Sequence, residues 1–280
     1  MQKTINGAMF RSMIISASKL LDINRGKIDA LNVFPVPDGD TGTNMSLTVQ
    51  SSVKELYNCK TNKCEDICDA VSRGALRGAR GNSGVITSQI LRGICSTLKK
   101  SEEIDTKLFA QALMSGAEVA YGAVSKPKEG TILTVIRMIA EDAQSIRRRH
   151  SDFETFFPEI IKVGNQAVAK TPELLPVLKK AGVVDAGGKG LMIILEGMYK
   201  ALIGEQITGD FSMPEVTAAD TAMEHADILN LGQIEFAYCT EFFIINLKKQ
   251  TTLADIERLK EFLMTIGDCV IVIGDLEFVK

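Results

Sequence analysis

The chain has 280 residues, 45% of them hydrophobic and 24% charged, with a formal net charge of −3; that is ample for a packed core in one large or two ordinary domains. Basic residues are dispersed except for Arg147-Arg148-Arg149 at an expected helix end, where cations belong in any case, so nucleic acid is excluded as a partner class. No apolar run approaches a membrane span and no cleavable leader is recognisable, so a soluble cytoplasmic protein is expected, with its six cysteines as reduced thiols.

Residues 5–21 place Ile5, Met9, Phe10, Met13, Ala17, Leu20 and Leu21 on one face, which predicts an amphipathic helix. The same period predicts helices at about 44–57, 65–79, 83–98, 105–124, 131–148, 153–170 and 187–203, with a short one near 173–180 and no strand-like alternation between them. Eight or nine helices with short connections make an antiparallel bundle. Small residues inside them, such as Gly74, Ala75, Gly78, Ala79, Gly116 and Ala117, suit close helix packing. Cys59, Cys64 and Cys68 lack the spacing and the nearby histidine of a zinc site.

Four loops precede helices. In Asn32-Val33-Phe34-Pro35-Val36-Pro37-Asp38-Gly39-Asp40-Thr41-Gly42-Thr43-Asn44-Met45, two prolines end regular structure and two glycines allow a sharp turn around two carboxylates. Taken alone, such a turn is ordinary helix capping by Asp38 or Thr41. Two acids aimed at one point repel unless a hard cation lies between them. Magnesium with phosphate accounts for both halves of the loop: Asp38 and Asp40 for the metal, Gly42, Thr43 and Asn44 as donors to phosphoryl oxygens. The other three loops are Gly78-Ala79-Arg80-Gly81-Asn82-Ser83-Gly84, Lys126-Pro127-Lys128-Glu129-Gly130-Thr131 and Val184-Asp185-Ala186-Gly187-Gly188-Lys189-Gly190. Alternate helices of an antiparallel bundle start at the same end, so all four loops are expected to converge there as a polyphosphate site. Walker A, G-x-G-x-x-G and kinase signatures are missing, and His150 and His225 are poorly placed for a hydrolytic triad.

After about Gly204 the character changes. Residues 206–228 read as a linker; then 234–238 and 242–247 predict strands, 253–264 a helix and 269–273 another strand. Residues 229–280 are thus expected to form the first part of an α+β module with an unpaired sheet edge. Since all four loops lie before residue 191, residues 1–205 alone are expected to bind nucleotide about as well as the whole chain.

The four loop motifs, in this order, resemble the DhaL (Dak2) nucleotide-binding domain, and over essentially the whole chain the sequence is similar to the catalytic subunits of bacterial fatty acid kinases. The resemblance implies an eight-helix barrel holding ATP or ADP through magnesium ions. It implies that Asp38 and Asp40 bind the metal at the catalytic centre. The nearest counterpart to a third, upstream aspartate is Asn32, one residue out of step. Thr43, Asn44, Gly81, Asn82, Ser83, Gly84 and Thr131 would line phosphates and nucleoside, with Asp185 and Gly187 closing over the nucleotide. The implied activity is phosphorylation of a fatty acid carboxylate, presented by a DegV-like fatty-acid-binding carrier protein, to an acyl phosphate; a homodimer is left open. A dihydroxyacetone kinase subunit carrying ADP, and a nucleotide-binding regulator without turnover, are the alternatives. Relatives carry histidines that would accompany Cys239 at a zinc site; here they are absent, so Cys239 is expected to be a lone thiol.

Overall fold

The computed structural model describes residues 2–207, 240–267, 270–274 and 278–280. The strand expected at 234–238, Cys239, His225 and nearly all of the expected linker lie outside the described residues, as does the start of the 269–273 segment.

Nine helices fill the first 202 residues: α1 (Gly7–Asp29), α2 (Thr41–Asn58), α3 (Cys64–Gly78), α4 (Gly81–Leu98), α5 (Thr106–Ala123), α6 (Ile132–Ile146), α7 (Phe153–Leu174), the short α8 (Pro176–Ala181) and α9 (Ala186–Leu202). Each long helix from α1 to α7 packs on the next, and α9 returns to α1, closing a ring of eight long helices with α8 against α7. This is the expected mainly helical barrel. Asn6, Asp105, Thr131, Asp152 and Asp185 cap α1, α5, α6, α7 and α9 by accepting backbone N–H bonds, satisfying donors that a helix start leaves free.

The ring buries its apolar stripes inward. Phe10, Met13, Ala17 and Leu21 of α1 are fully covered. Phe109, Phe153, Phe156 and Phe157 meet at ring-centroid separations of 5.3 to 6.4 Å, mostly edge to face, the arrangement aromatic quadrupoles favour. Cys64 and Cys68 of α3 are core thiols, and Cys59 at the end of α2 is half-buried.

Two features depart from the sequence pattern. α1 continues to Asp29 instead of ending near residue 21, because Ile28 adds one more buried contact beyond a polar turn. A two-residue strand, β1 (Thr4–Ile5), pairs antiparallel with β2 (Ile104–Asp105), where no strand was expected; two residues are too few to show a period.

Beyond the barrel, β3 (Ile244–Ile245) pairs antiparallel with β4 (Phe278–Val279), and α10 (Leu253–Met264) matches its expected span. The strand expected over 242–247 is thus reduced to two residues. Within the segment expected as a strand over 269–273, Ile271 makes an isolated bridge to Val124. Ile273 and Lys280 exchange backbone hydrogen bonds of 2.9 and 2.7 Å. The module seats on the barrel: Ile273 packs with Leu76, Ala79, Val85 and Ala123, the Lys260 ammonium donates to the Gly122 carbonyl at 3.2 Å, and that of Lys280 donates to the Ala79 carbonyl.

Candidate functional site

Helices α2, α4, α6 and α9 begin at the same end of the ring, and the loops that feed them wall one cavity of about 840 Å³. The acidic loop contributes Asn32, Asp38, Asp40, Thr41 and Asn44; the α3–α4 turn contributes Arg80, Gly81, Asn82 and Ser83; Lys126, Lys128 and Thr131 come from the loop before α6, and Asp185 and Gly187 from the start of α9. A ligand there would face four helix N-termini, whose free N–H groups and dipoles suit an anion.

The two aspartates are held together by their turn. Gly39 between them has φ +66°, a conformation that side-chain-bearing residues rarely adopt. Asp40 occupies the N-cap position of α2 yet makes no capping bond, so its carboxylate is not used up by the helix; nor does Asp38 or Thr41 cap it. Burial, the neighbouring Asp38 charge and a hydrogen bond shared with Asp38 push the Asp40 carboxyl up to about 6, against a lowering bond from Asn44. The pair therefore cannot both ionise comfortably without a counter-charge. Asn32 is buried and its Nδ2 donates to Asp38 Oδ1 at 2.6 Å. Among the described residues no three His, Cys, Asp or Glu side chains form a metal cage. Two carboxylates beside an anion pocket instead fit magnesium, which keeps waters and takes further oxygens from phosphate.

Three residues expected at the phosphates are placed away from the cavity wall. The Thr43 N–H and hydroxyl both donate to Asp29, at 3.0 and 2.8 Å, tying the start of α2 to the end of α1. A Cβ on Gly42 would come within 2.2 Å of the Arg25 carbonyl oxygen, and one on Gly84 within 2.4 Å of Thr48 Oγ1; both glycines serve close helix contact. Gly81 does border the cavity, with φ +54° and the Asn44 amide 2.5 Å from where a Cβ would stand. Asp185 is buried, donates its N–H to Thr171 Oγ1 at 3.0 Å and accepts from Gly188 N–H at 2.7 Å. Burial raises its carboxyl to about 6, and backbone N–H groups of Gly188 and Ile132 offset part of that.

Sequence reasoning missed the cationic wall. Lys54, Arg77, Arg80, Lys126 and Lys128 all border the cavity; the two lysines flanking Pro127 just ahead of a helix start were a readable signal. It also missed the second module. Glu241, Phe243, Ile271 and Lys280 complete the wall, with the Lys280 ammonium paired to Glu241 and 4.8 Å from the Phe243 ring centre. The expectation that nothing after residue 205 touches the site is therefore corrected.

Residues 35–200 match the DAK2 domain model, which includes the acidic loop and the four helix starts. The chain belongs to the DAK2 domain family. Residues 235–280 match the FakA-like middle domain of the fatty acid kinases. Protein YloV of Bacillus subtilis (strain 168) is 39% identical, over 99% of this chain and 51% of that protein. An uncharacterized protein of Staphylococcus aureus (strain USA300) is 40% identical, over 99% of this chain and 50% of its own length. The chain thus spans about half the length of the curated relatives it matches. Among solved structures, the dihydroxyacetone kinase of C. freundii in complex with AMP-PNP and Mg2+ aligns with TM-score 0.53 at 13% identity, over 72% of this chain and 35% of that one. Its native form aligns with TM-score 0.52 at 14% identity over the same shares. The helical ring is therefore a dihydroxyacetone-kinase-like fold. No helix among the described residues is long and apolar enough to cross a membrane.

Proposed function

We propose that this DAK2-family chain is the nucleotide-binding part of a cytoplasmic kinase subunit that takes ATP with magnesium and passes the terminal phosphoryl group to a fatty acid carboxylate, giving an acyl phosphate. The observation that carries the reading is the convergence of Asp38 and Asp40 with four helix starts on one cavity. The solved relative bound to AMP-PNP and Mg2+ supports the ligand class, and the match of residues 235–280 to a fatty acid kinase middle domain supports the acceptor.

In this reading Asp38 and Asp40 hold the metal, and Asn32 joins them by turning its amide so that Oδ1 faces the cation. Asn44, Asn82, Ser83 and Thr131, with the backbone of Gly81 and Gly187, donate to the nucleotide. Lys126, Lys128 and Arg80 balance phosphate charge, and Asp185 fixes the start of α9 against α6. Thr43, Gly42 and Gly84 act one layer back, setting the helix contacts that aim the loops. Magnesium, when bound, neutralises charge on the phosphates as transfer proceeds; the protein's own contribution is largely positioning. The fatty acid arrives on a DegV-like carrier protein, so its binding surface need not lie in this chain.

The test is transfer from labelled ATP to carrier-bound fatty acid against transfer to dihydroxyacetone, using the full-length protein and its carrier. Acyl phosphate as the product supports the reading. Phosphorylated dihydroxyacetone would move the assignment to the other branch, and transfer to neither would favour a nucleotide-binding regulator.

A further inference from the structure

The loop before α6 is held from behind by a network that does not touch the cavity. Glu129 sits between Lys128 and Gly130, and its carboxylate accepts three side-chain hydrogen bonds: from the Tyr121 hydroxyl at 2.9 Å, the Thr134 hydroxyl at 2.7 Å and Arg137 Nη2 at 2.9 Å. Arg137 Nε also donates to the Tyr121 hydroxyl at 3.3 Å, and its Nη1 reaches Glu141 at 3.2 Å. The Gly130 N–H donates to Thr134 Oγ1 at 2.8 Å. On the other side Gly130 is wedged against Leu174 and Leu175, where a Cβ would stand 3.0 and 2.8 Å from theirs. The Thr131 hydroxyl donates to the Lys128 carbonyl at 2.7 Å. A single carboxylate thus ties the last turns of α5 and the first turns of α6 to a loop that puts Lys126, Lys128 and Thr131 on the cavity wall.

A surface ion pair does not need this much organisation, and one this exposed would add little stability: the side chains of Glu129 and Arg137 are 49% and 39% exposed. Three charge-assisted or oriented bonds to one carboxylate do fix geometry. Lysine, a flexible point charge, is effective at a phosphate only when its backbone is held in place. Partial burial works against the Glu129 charge, yet the bonds from Thr134, Arg137 and Tyr121 hold its carboxyl below the usual range, so it is an anion wherever the site works.

From this geometry we infer that Glu129, locked by Arg137, Tyr121 and Thr134, is a positioning residue that presents Lys126 and Lys128 to the phosphates of the bound nucleotide. The inference rests on the nucleotide reading of the cavity. Its consequence is selective: loosening the lock should weaken contacts to phosphate and leave those to the nucleoside alone.

The experiment is calorimetric titration of wild type, Glu129→Gln and Arg137→Met, and of the double variant, with ADP plus magnesium and separately with adenosine. Glu129→Gln keeps the shape and removes the charge. Expected are a loss of about tenfold in ADP affinity for either single variant, no greater loss for the double variant, adenosine affinity within about twofold of wild type, and a melting temperature close to wild type. Equal losses for ADP and adenosine would show a general structural role and overturn the inference, as would unchanged ADP affinity. Failure of the wild type to bind ADP with magnesium would instead overturn the nucleotide reading itself, and the inference with it.

Discussion

The helical ring and the module that follows it differ in how they are built. In the ring every long helix buries a stripe, and its largest side chains, among them Phe109, Phe153, Phe156 and Phe157, are fully covered. In α10 no residue is buried, and Leu253 and Phe262 stand 63% and 58% exposed. Yet the module still supplies part of the cavity wall, through Phe243, Ile271 and Lys280. The ring's structure follows from its own burial; the module's contribution depends on a small seat around Ile273. A site can therefore draw precise loops from a self-sufficient scaffold and closure from an element that is not one.

The sharpest way to break that contrast is truncation in each region. Phe156→Ala should cost about 3–5 kcal/mol of stability through lost burial and a residual cavity, measured by chemical denaturation. Phe262→Ala in α10 should change it by no more than about 0.5 kcal/mol. Similar losses would mean that the module is as well packed as the ring.

The next effect separates the ring's site from its core. Asp185 binds its proton more tightly in the folded chain, at about 6, than in the unfolded one, near 4. The stability this contributes is fully present below about pH 4 and is lost as pH rises through about 6, on the order of 3 kcal/mol. Asp40, also raised to about 6, acts with the same sign. Melting temperature without magnesium should thus fall between pH 4.5 and 7, and Asp185→Asn should flatten part of the decline. A profile unchanged by that substitution would show that Asp185 is not protonated at the lower pH.

The smallest expected effect concerns the seat of the module. Ile273→Asp puts a charge among Leu76, Ala79, Val85 and Ala123 and should lift Phe243, Ile271 and Lys280 from the cavity, lowering ADP affinity about threefold to tenfold with the ring's stability intact. No change in affinity would restore the expectation that the first 205 residues suffice.

How much of this was legible in the sequence follows the same division. Helices declared themselves wherever burial imposes a 3.6-residue period, and the parity of an antiparallel ring was enough to bring Asp38, Asn82, Thr131 and Asp185 to one end. The last turns of α1 escaped because only Ile28 faces inward there, and β1 and β2 escaped because two residues show no alternation. Thr43 and Gly84 lie in the right loops but serve Asp29 and Thr48; a motif names a loop without saying which of its atoms face the ligand. The bond from Lys280 to the Ala79 carbonyl, and the packing of Ile273 on Leu76, join positions that no local pattern connects.

The central claim is that Asp38 and Asp40 form a magnesium site for a nucleotide. Titration calorimetry of ADP into wild type and Asp40→Asn, each with magnesium and with chelator, tests it most directly. We predict binding to wild type only with magnesium, loss of at least about a hundredfold in Asp40→Asn, and an apo melting temperature for the variant equal to or above that of wild type, because a repelling charge is gone. Equal ADP affinity in wild type and variant, or binding indifferent to magnesium, would contradict it.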